Sequence, residues 1–125
     1  MKNLLLISLT SCVLSLLSLN AHAQAGEWTW MKGSSTYNAA GVYGTIGVSD
    51  PANTPPGLYE PYEWTDKQGN LWLFGGYDGL SQYRNTLWKY DPSTNEWTWM
   101  NGTSGSLAAN YGTLGVAAPA NTPGA

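Results

Sequence analysis

Apolar and polar positions are distributed in two different ways along this chain. From Leu4 to Leu19 the apolar run is almost unbroken, whereas beyond residue 24 no stretch has helical periodicity and apolar residues come in short strand-length groups. Tyr62 to Thr65 is the first clear group and ends at the turn-forming Asp66-Lys67-Gln68-Gly69-Asn70. Leu71-Trp72-Leu73-Phe74 follows and stops at Gly75-Gly76. After a loop, Thr86 to Tyr90 places Trp88 and Tyr90 on one face and Leu87 and Lys89 on the other. Asp91-Pro92-Ser93-Thr94-Asn95 reads as a tight turn, because proline presets φ while Asp and Asn tolerate turn geometry. Glu96 to Met100 is the fourth strand, with Trp97 and Trp99 sharing a face. Four short strands joined by tight turns predict an antiparallel meander and an all-β fold.

The chain also repeats itself. Glu27-Trp28-Thr29-Trp30-Met31 returns unchanged as Glu96-Trp97-Thr98-Trp99-Met100. Tyr43-Gly44-Thr45-Ile46-Gly47-Val48 returns as Tyr111-Gly112-Thr113-Leu114-Gly115-Val116, and Pro51-Ala52-Asn53-Thr54-Pro55 as Pro119-Ala120-Asn121-Thr122-Pro123. Residues 27–57 and 96–124 are therefore one unit occurring twice, about 68 residues apart. The organisation that follows is a leader over 1–23, a strand plus a Gly/Pro-rich insert over 24–57, a four-stranded unit over 58–100, and the opening of a second insert over 101–125. The insert lacks a continuous apolar face and is expected to be a surface loop, either ordered against the unit or flexible.

Four apolar residues followed by Gly75-Gly76, then Trp88, Tyr90 and Trp97 in a Leu87-Trp88-Lys89-Tyr90-Asp91-Pro92 context, resemble a kelch repeat. The resemblance covers roughly residues 60–100 and implies one four-stranded blade of a β-propeller, a family that includes the propeller of galactose-oxidase-like proteins. It further implies that Glu27 to Met31, matching only the last strand of such a blade, is an extra N-terminal strand of the kind that completes a ring. Two departures stand out. The period exceeds the roughly 50 residues usual for kelch, and the chain holds about one blade where propellers close with about 4–8.

The leader changes the picture of where the chain works. Lys2 before the apolar run and Ala21-His22-Ala23 after it form a secretory signal peptide, expected as a helix cleaved after Ala23, and the run is short of the ~20 residues of a membrane span. The expected location is secreted, periplasmic or at the cell surface, with no membrane association after cleavage. Cleavage removes the only cysteine, Cys12, and the only histidine, His22. What remains has no thiolate or imidazole for a zinc or copper site and no histidine base for a nucleophilic triad. The reading is accordingly non-enzymatic, with no catalytic residue, metal or cofactor. The alternative is a truncated remnant of a galactose-oxidase-like enzyme or of a larger surface protein, whose catalytic groups would lie on other sequence. Eight carboxylates stand against Lys32, Lys67, Arg84 and Lys89, the wrong sign for a nucleic-acid partner.

Candidate contact residues come from loop geometry. In an up-and-down blade the turns at 66–70 and 91–95 fall at one end, while the loop from Tyr77 to Asn85 and the insert fall at the other, and function concentrates on long loops held by a rigid sheet. Tyr77, Asp78, Tyr83 and Arg84 are the candidates for binding a protein or a glycan, since tyrosine combines a flat apolar ring with a hydroxyl; the alternative is a loop packed by its tyrosines, with Arg84 paired to Asp78. Gly75, Gly76, Trp88, Tyr90 and Trp97 are structural: a glycine pair that ends a strand answers backbone crowding. The tryptophans are expected to pack blade against blade. A lone blade exposes such faces, so self-association or further blades are the expected partners of its sides.

Overall fold

A computed structural model describes residues 26–105 and 108–124 of the chain. The signal-peptide helix expected over residues 1–23 lies outside the described residues. Among those described, every regular element is a β-strand: β1 (Ser49–Asp50), β2 (Leu58–Tyr59), β3 (Tyr62–Thr65), β4 (Leu71–Phe74), β5 (Tyr77–Asp78), β6 (Leu87–Asp91) and β7 (Glu96–Asn101). β3, β4, β6 and β7 are the four strands that alternation predicts, and they form the expected antiparallel meander. The full order of this sheet is β1-β7-β6-β4-β3, and β2 pairs with β5 in a separate two-stranded sheet.

The turns form because their aspartates bind the backbone locally. Asp66 Oδ1 accepts the N–H groups of Gln68 (2.9 Å) and Asn70 (3.0 Å), which closes the β3–β4 turn. Its Oδ2 accepts from Asn70 Nδ2 (2.9 Å) and from Trp72 Nε1 (2.8 Å), tying the turn to β4. These donors, Trp72 first and Asn70 next, hold the Asp66 carboxyl down at about 2. Asp91 repeats the device between β6 and β7, accepting from the Ser93 amide (2.8 Å) and hydroxyl (2.6 Å). Asn95 takes the left-handed conformation there (φ 58), and its side chain accepts from Tyr90 Oη (2.8 Å). The crowding inferred at the glycine pair is present at the other end of β4. A Cβ on Gly76 would lie 3.1 Å from the Tyr59 carbonyl and 3.2 Å from Pro61, on a backbone already at φ 95.

Register sorts the side chains. Leu73, Trp88 and Trp99 lie opposite one another across β4, β6 and β7, as do Leu71, Tyr90 and Trp97 in the neighbouring row. These six make one apolar face, and Trp64 stacks on Trp72 (5.8 Å, planes 6° apart) on the reverse. The core centres on Trp88, which is wholly buried.

Three expectations need correction. Glu27 to Met31 forms no strand: it is unpaired, and Trp28 is 99% exposed. The same five residues form β7 further along because the turn at 91–95 folds them back onto β6, and no described strand stands in that position before Glu27. The extra strand of the blade comes from the insert instead, as β1 on the outer edge of β7. Lastly, Trp88 is covered by this chain's own insert and not by a neighbouring blade: Tyr43 stands 5.1 Å from Trp88 and 5.0 Å from Trp99, ring to ring.

Two buried asparagines hold the loops in place. Asn53 Nδ2 donates to the carbonyls of Val48 (3.0 Å) and Trp97 (3.1 Å), and Gly47 N–H donates to the Trp99 carbonyl (2.8 Å), so the first insert is an ordered clip on β7. Asn85 accepts from the Thr103 amide (3.0 Å) and donates to the Pro123 carbonyl (2.8 Å), anchoring the start and end of the second insert at the opposite end of the sheet.

Candidate functional site

The loop from Tyr77 to Asn85 is shaped by Asp78. Its Oδ1 accepts the N–H groups of Leu80 and Gln82, both at 2.9 Å, and its Oδ2 accepts Arg84 Nε (2.7 Å) and Nη2. Arg84 turns its remaining nitrogen, Nη1, onto the Ser104 carbonyl (3.0 Å). Both side chains are buried. Burial alone would raise the Asp78 carboxyl, but the Arg84 hydrogen bonds and the two loop amides outweigh it and hold it below the usual carboxylate range. Of the two arrangements open to these residues in the sequence, the structure contains the internal ion pair. Their hydrogen bonds close the loop and tie it to Ser104, so the pair acts as a support for the site.

A tyrosine precedes each member of that pair in the chain. Tyr77 and Tyr83 form an isolated bridge and meet edge to face, ring centres 5.1 Å apart. Both remain accessible, at 36% and 62% exposure. β2 adds to this surface, since its Tyr59 lies opposite Tyr77 in the two-stranded sheet. Tyr37, Asn38, Tyr59 and Tyr77 then line an open depression of about 470 Å³. Asn38 closes one side of it by donating to the Gly79 carbonyl (3.3 Å). Four tyrosines therefore share one side of the molecule. Tyr77 and Tyr83 were accessible to sequence reasoning through their loop. Tyr37 and Tyr59 were not: Tyr59 reaches the site through a two-residue strand pairing and Tyr37 stands next to the Asn38–Gly79 hydrogen bond, and no local pattern announces either.

Gly75, Gly76, Trp88, Tyr90 and Trp97 all sit in the single four-stranded unit. The family model of the Kelch motif matches residues 68–98, from the β3–β4 turn into β7. These residues are a kelch motif. Its Gly-Gly corner ends β4, and its Tyr90 and Trp97 rings lie 5.1 Å apart on the face that Trp88 anchors. No curated protein and no solved structure matches the chain. The β1 clip lies outside the matched span, as do Tyr37 and Tyr59, whereas Tyr77 and Tyr83 lie within it.

The remaining polar candidates resolve simply. Asn85 ties Thr103 and Pro123 to the sheet. Among the described residues no three of His, Cys, Asp and Glu group as metal ligands would.

Proposed function

We propose that the chain is an exported, non-catalytic interaction module whose contact surface is the cluster of Tyr37, Tyr59, Tyr77 and Tyr83. Kelch repeats commonly mediate protein–protein interactions. The observation that carries the reading is the arrangement at the Tyr77–Asn85 loop. A buried ion pair fixes a loop from below while exposed tyrosine rings face outward around a shallow depression. Fixed aromatic groups with polar tips give contact area at little entropic cost, and they are the residues that dominate interface energetics. The depression is open and carries no free charge among its lining side chains, which suits a protein surface better than a charged small molecule.

The test is a titration of labelled chain on arrays of extracellular proteins and of glycans. Saturable binding to a protein, weakened roughly tenfold or more in Tyr59→Ala/Tyr77→Ala with the circular-dichroism spectrum unchanged, is expected for loss of one or two interface anchors. Binding that ignores the double variant would refute the site, and binding confined to glycans would refute the protein partner.

Export is supported by the leader. The expected product in the extracytoplasmic fraction begins at Gln24, read by intact mass or N-terminal sequencing. A chain retained in the cytoplasm with residues 1–23 intact would overturn it. The absence of histidine and cysteine from the chain after Ala23 supports the non-catalytic reading.

A further inference from the structure

The two inserts have the same internal geometry but not the same surroundings. In the first, Val42 and Thr54 exchange backbone hydrogen bonds (2.8 and 3.0 Å), Val48 N–H donates to Thr45 (3.1 Å), and Asn53 Nδ2 reaches back to Val48 (3.0 Å). In the second, Asn110 and Thr122 exchange theirs (2.9 and 2.8 Å), Val116 N–H donates to Thr113 (3.0 Å), and Asn121 Nδ2 reaches Val116 (2.9 Å). Even the backbone torsions agree: Gly44 and Gly47 at φ 63 and 76, Gly112 and Gly115 at φ 60 and 78. The first insert clips the strand Glu-Trp-Thr-Trp-Met at Glu96–Met100. It does so with the Gly47 amide on Trp99, the Asn53 amide on Trp97, β1 pairing at Thr98 and Trp97, and the Tyr43 ring against Trp99. In the second insert the matching groups are Gly115, Asn121, Ala117-Ala118 and Tyr111. None of these has a strand beside it among the described residues, and Tyr111 is 76% exposed.

The chain holds a second copy of the strand that such a clip grips. Glu27-Trp28-Thr29-Trp30-Met31 is identical to Glu96–Met100 and is unpaired, with Trp28 and Trp30 exposed. It already has β7's local form at its key ring: Trp30 Nε1 donates to the Lys32 carbonyl (3.1 Å) as Trp99 Nε1 donates to the Asn101 carbonyl (2.7 Å). Within one molecule clip and strand cannot meet. Met31 and Asn95 line one depression at the turn end of the β6–β7 hairpin, and Lys32 donates to the Pro51 carbonyl there (2.6 Å). The second insert is fixed by Asn85 at the hairpin's other end, some five strand steps away, or roughly 17 Å.

We propose that this chain associates head to tail, the second insert of one copy clipping Glu27–Met31 of the next. Asn121 Nδ2 would donate to the Trp28 carbonyl of the neighbouring copy and Gly115 N–H to its Trp30 carbonyl, with Tyr111 against its Trp30 ring. This surface is separate from the tyrosine cluster, so the two proposals stand or fall independently. The contact joins unlike surfaces, so it generates rings where the rotation closes and open chains where it does not. Its small area puts it among weak, concentration-dependent interfaces.

The test is sedimentation velocity on the purified chain from about 1 μM to about 1 mM, the range in which a contact of this size is populated. Association that increases with concentration is expected, and it should be weakened roughly tenfold or more by Trp28→Ala/Trp30→Ala and likewise by Tyr111→Ala. These residues are exposed in the monomer, so the folded spectrum of each variant is expected to match the parent. A free Glu-Trp-Thr-Trp-Met peptide should compete, and a scrambled one should not. A monomer throughout the range, or association unaffected by both variants and the peptide, would overturn the proposal.

Discussion

Replacing Trp88 by alanine is expected to destabilise the blade by about 3–5 kcal/mol, the range for emptying a fully buried aromatic site. Such a loss is a large part of the ~5–15 kcal/mol that holds a domain together, so the variant should unfold well below the parent's denaturant midpoint. The site is unable to collapse easily, because Trp88 is enclosed on several sides. Tyr43 of the insert is 5.1 Å away and Trp97 meets it edge to face at 6.4 Å. Leu73 and Trp99 lie opposite it on the adjacent strands. Among the described residues its Nε1 has no hydrogen-bond partner, nor do the buried hydroxyls of Tyr43 and Thr86. The ring therefore stabilises by its apolar area, and Trp88→Phe should lose clearly less than Trp88→Ala. Equal losses in the two variants, by urea denaturation followed by fluorescence, would show that the indole nitrogen and not ring packing matters here.

Arg84→Met is expected to cost about 3–5 kcal/mol, the penalty for leaving one member of a buried pair without its partner. Asp78 keeps the amides of Leu80 and Gln82 but loses both guanidinium donors, and Ser104 loses the Nη1 contact. The variant carries a signature in pH as well. Asp78 has its folded pKa depressed, so its contribution is fully present above its unfolded value near 4 and is lost as pH falls through the folded one. The parent should accordingly lose stability on acidification below about pH 4, and Asp66, held at about 2, adds to the same trend. Arg84→Met should flatten the Asp78 part of that slope, because the donor that most lowers its carboxyl has gone. A variant whose acid profile parallels the parent's would mean that Arg84 does not govern Asp78.

The tyrosine surface depends on the same pair. Asp78 ends β5 and sets the return of the loop, so Tyr77 and Tyr83 owe their edge-to-face geometry to a buried carboxylate. Loss of Arg84 is thus expected to loosen the contact surface as well as the fold.

Much of this was legible from residues alone. Period-two alternation and turn chemistry are local properties, so β3, β4, β6 and β7 could be placed, and the Asp66 and Asp91 turns with them. The kelch motif was legible for the same reason, since Gly75-Gly76, Tyr90 and Trp97 each answer a need within one blade. The loop from Tyr77 to Asn85 could be named as the long-loop end, with Tyr77, Asp78, Tyr83 and Arg84 on it. Its division into a buried pair and an exposed aromatic surface could not be decided, because pairing and contact make the same demands on composition.

The tertiary structure alone decided what joins across distance. Tyr43 roofing Trp88, Asn53 reaching Trp97 and Tyr59 beside Tyr77 are separated along the chain by 18 to 45 residues, and nothing in their immediate neighbours implies them. The two copies of Glu-Trp-Thr-Trp-Met make the reason plain. The five residues determine that both copies have the same alternation and the same ring geometry at the second tryptophan. Yet one copy is a central strand and the other is unpaired, because a strand's hydrogen bonds lie on its neighbours and not in itself.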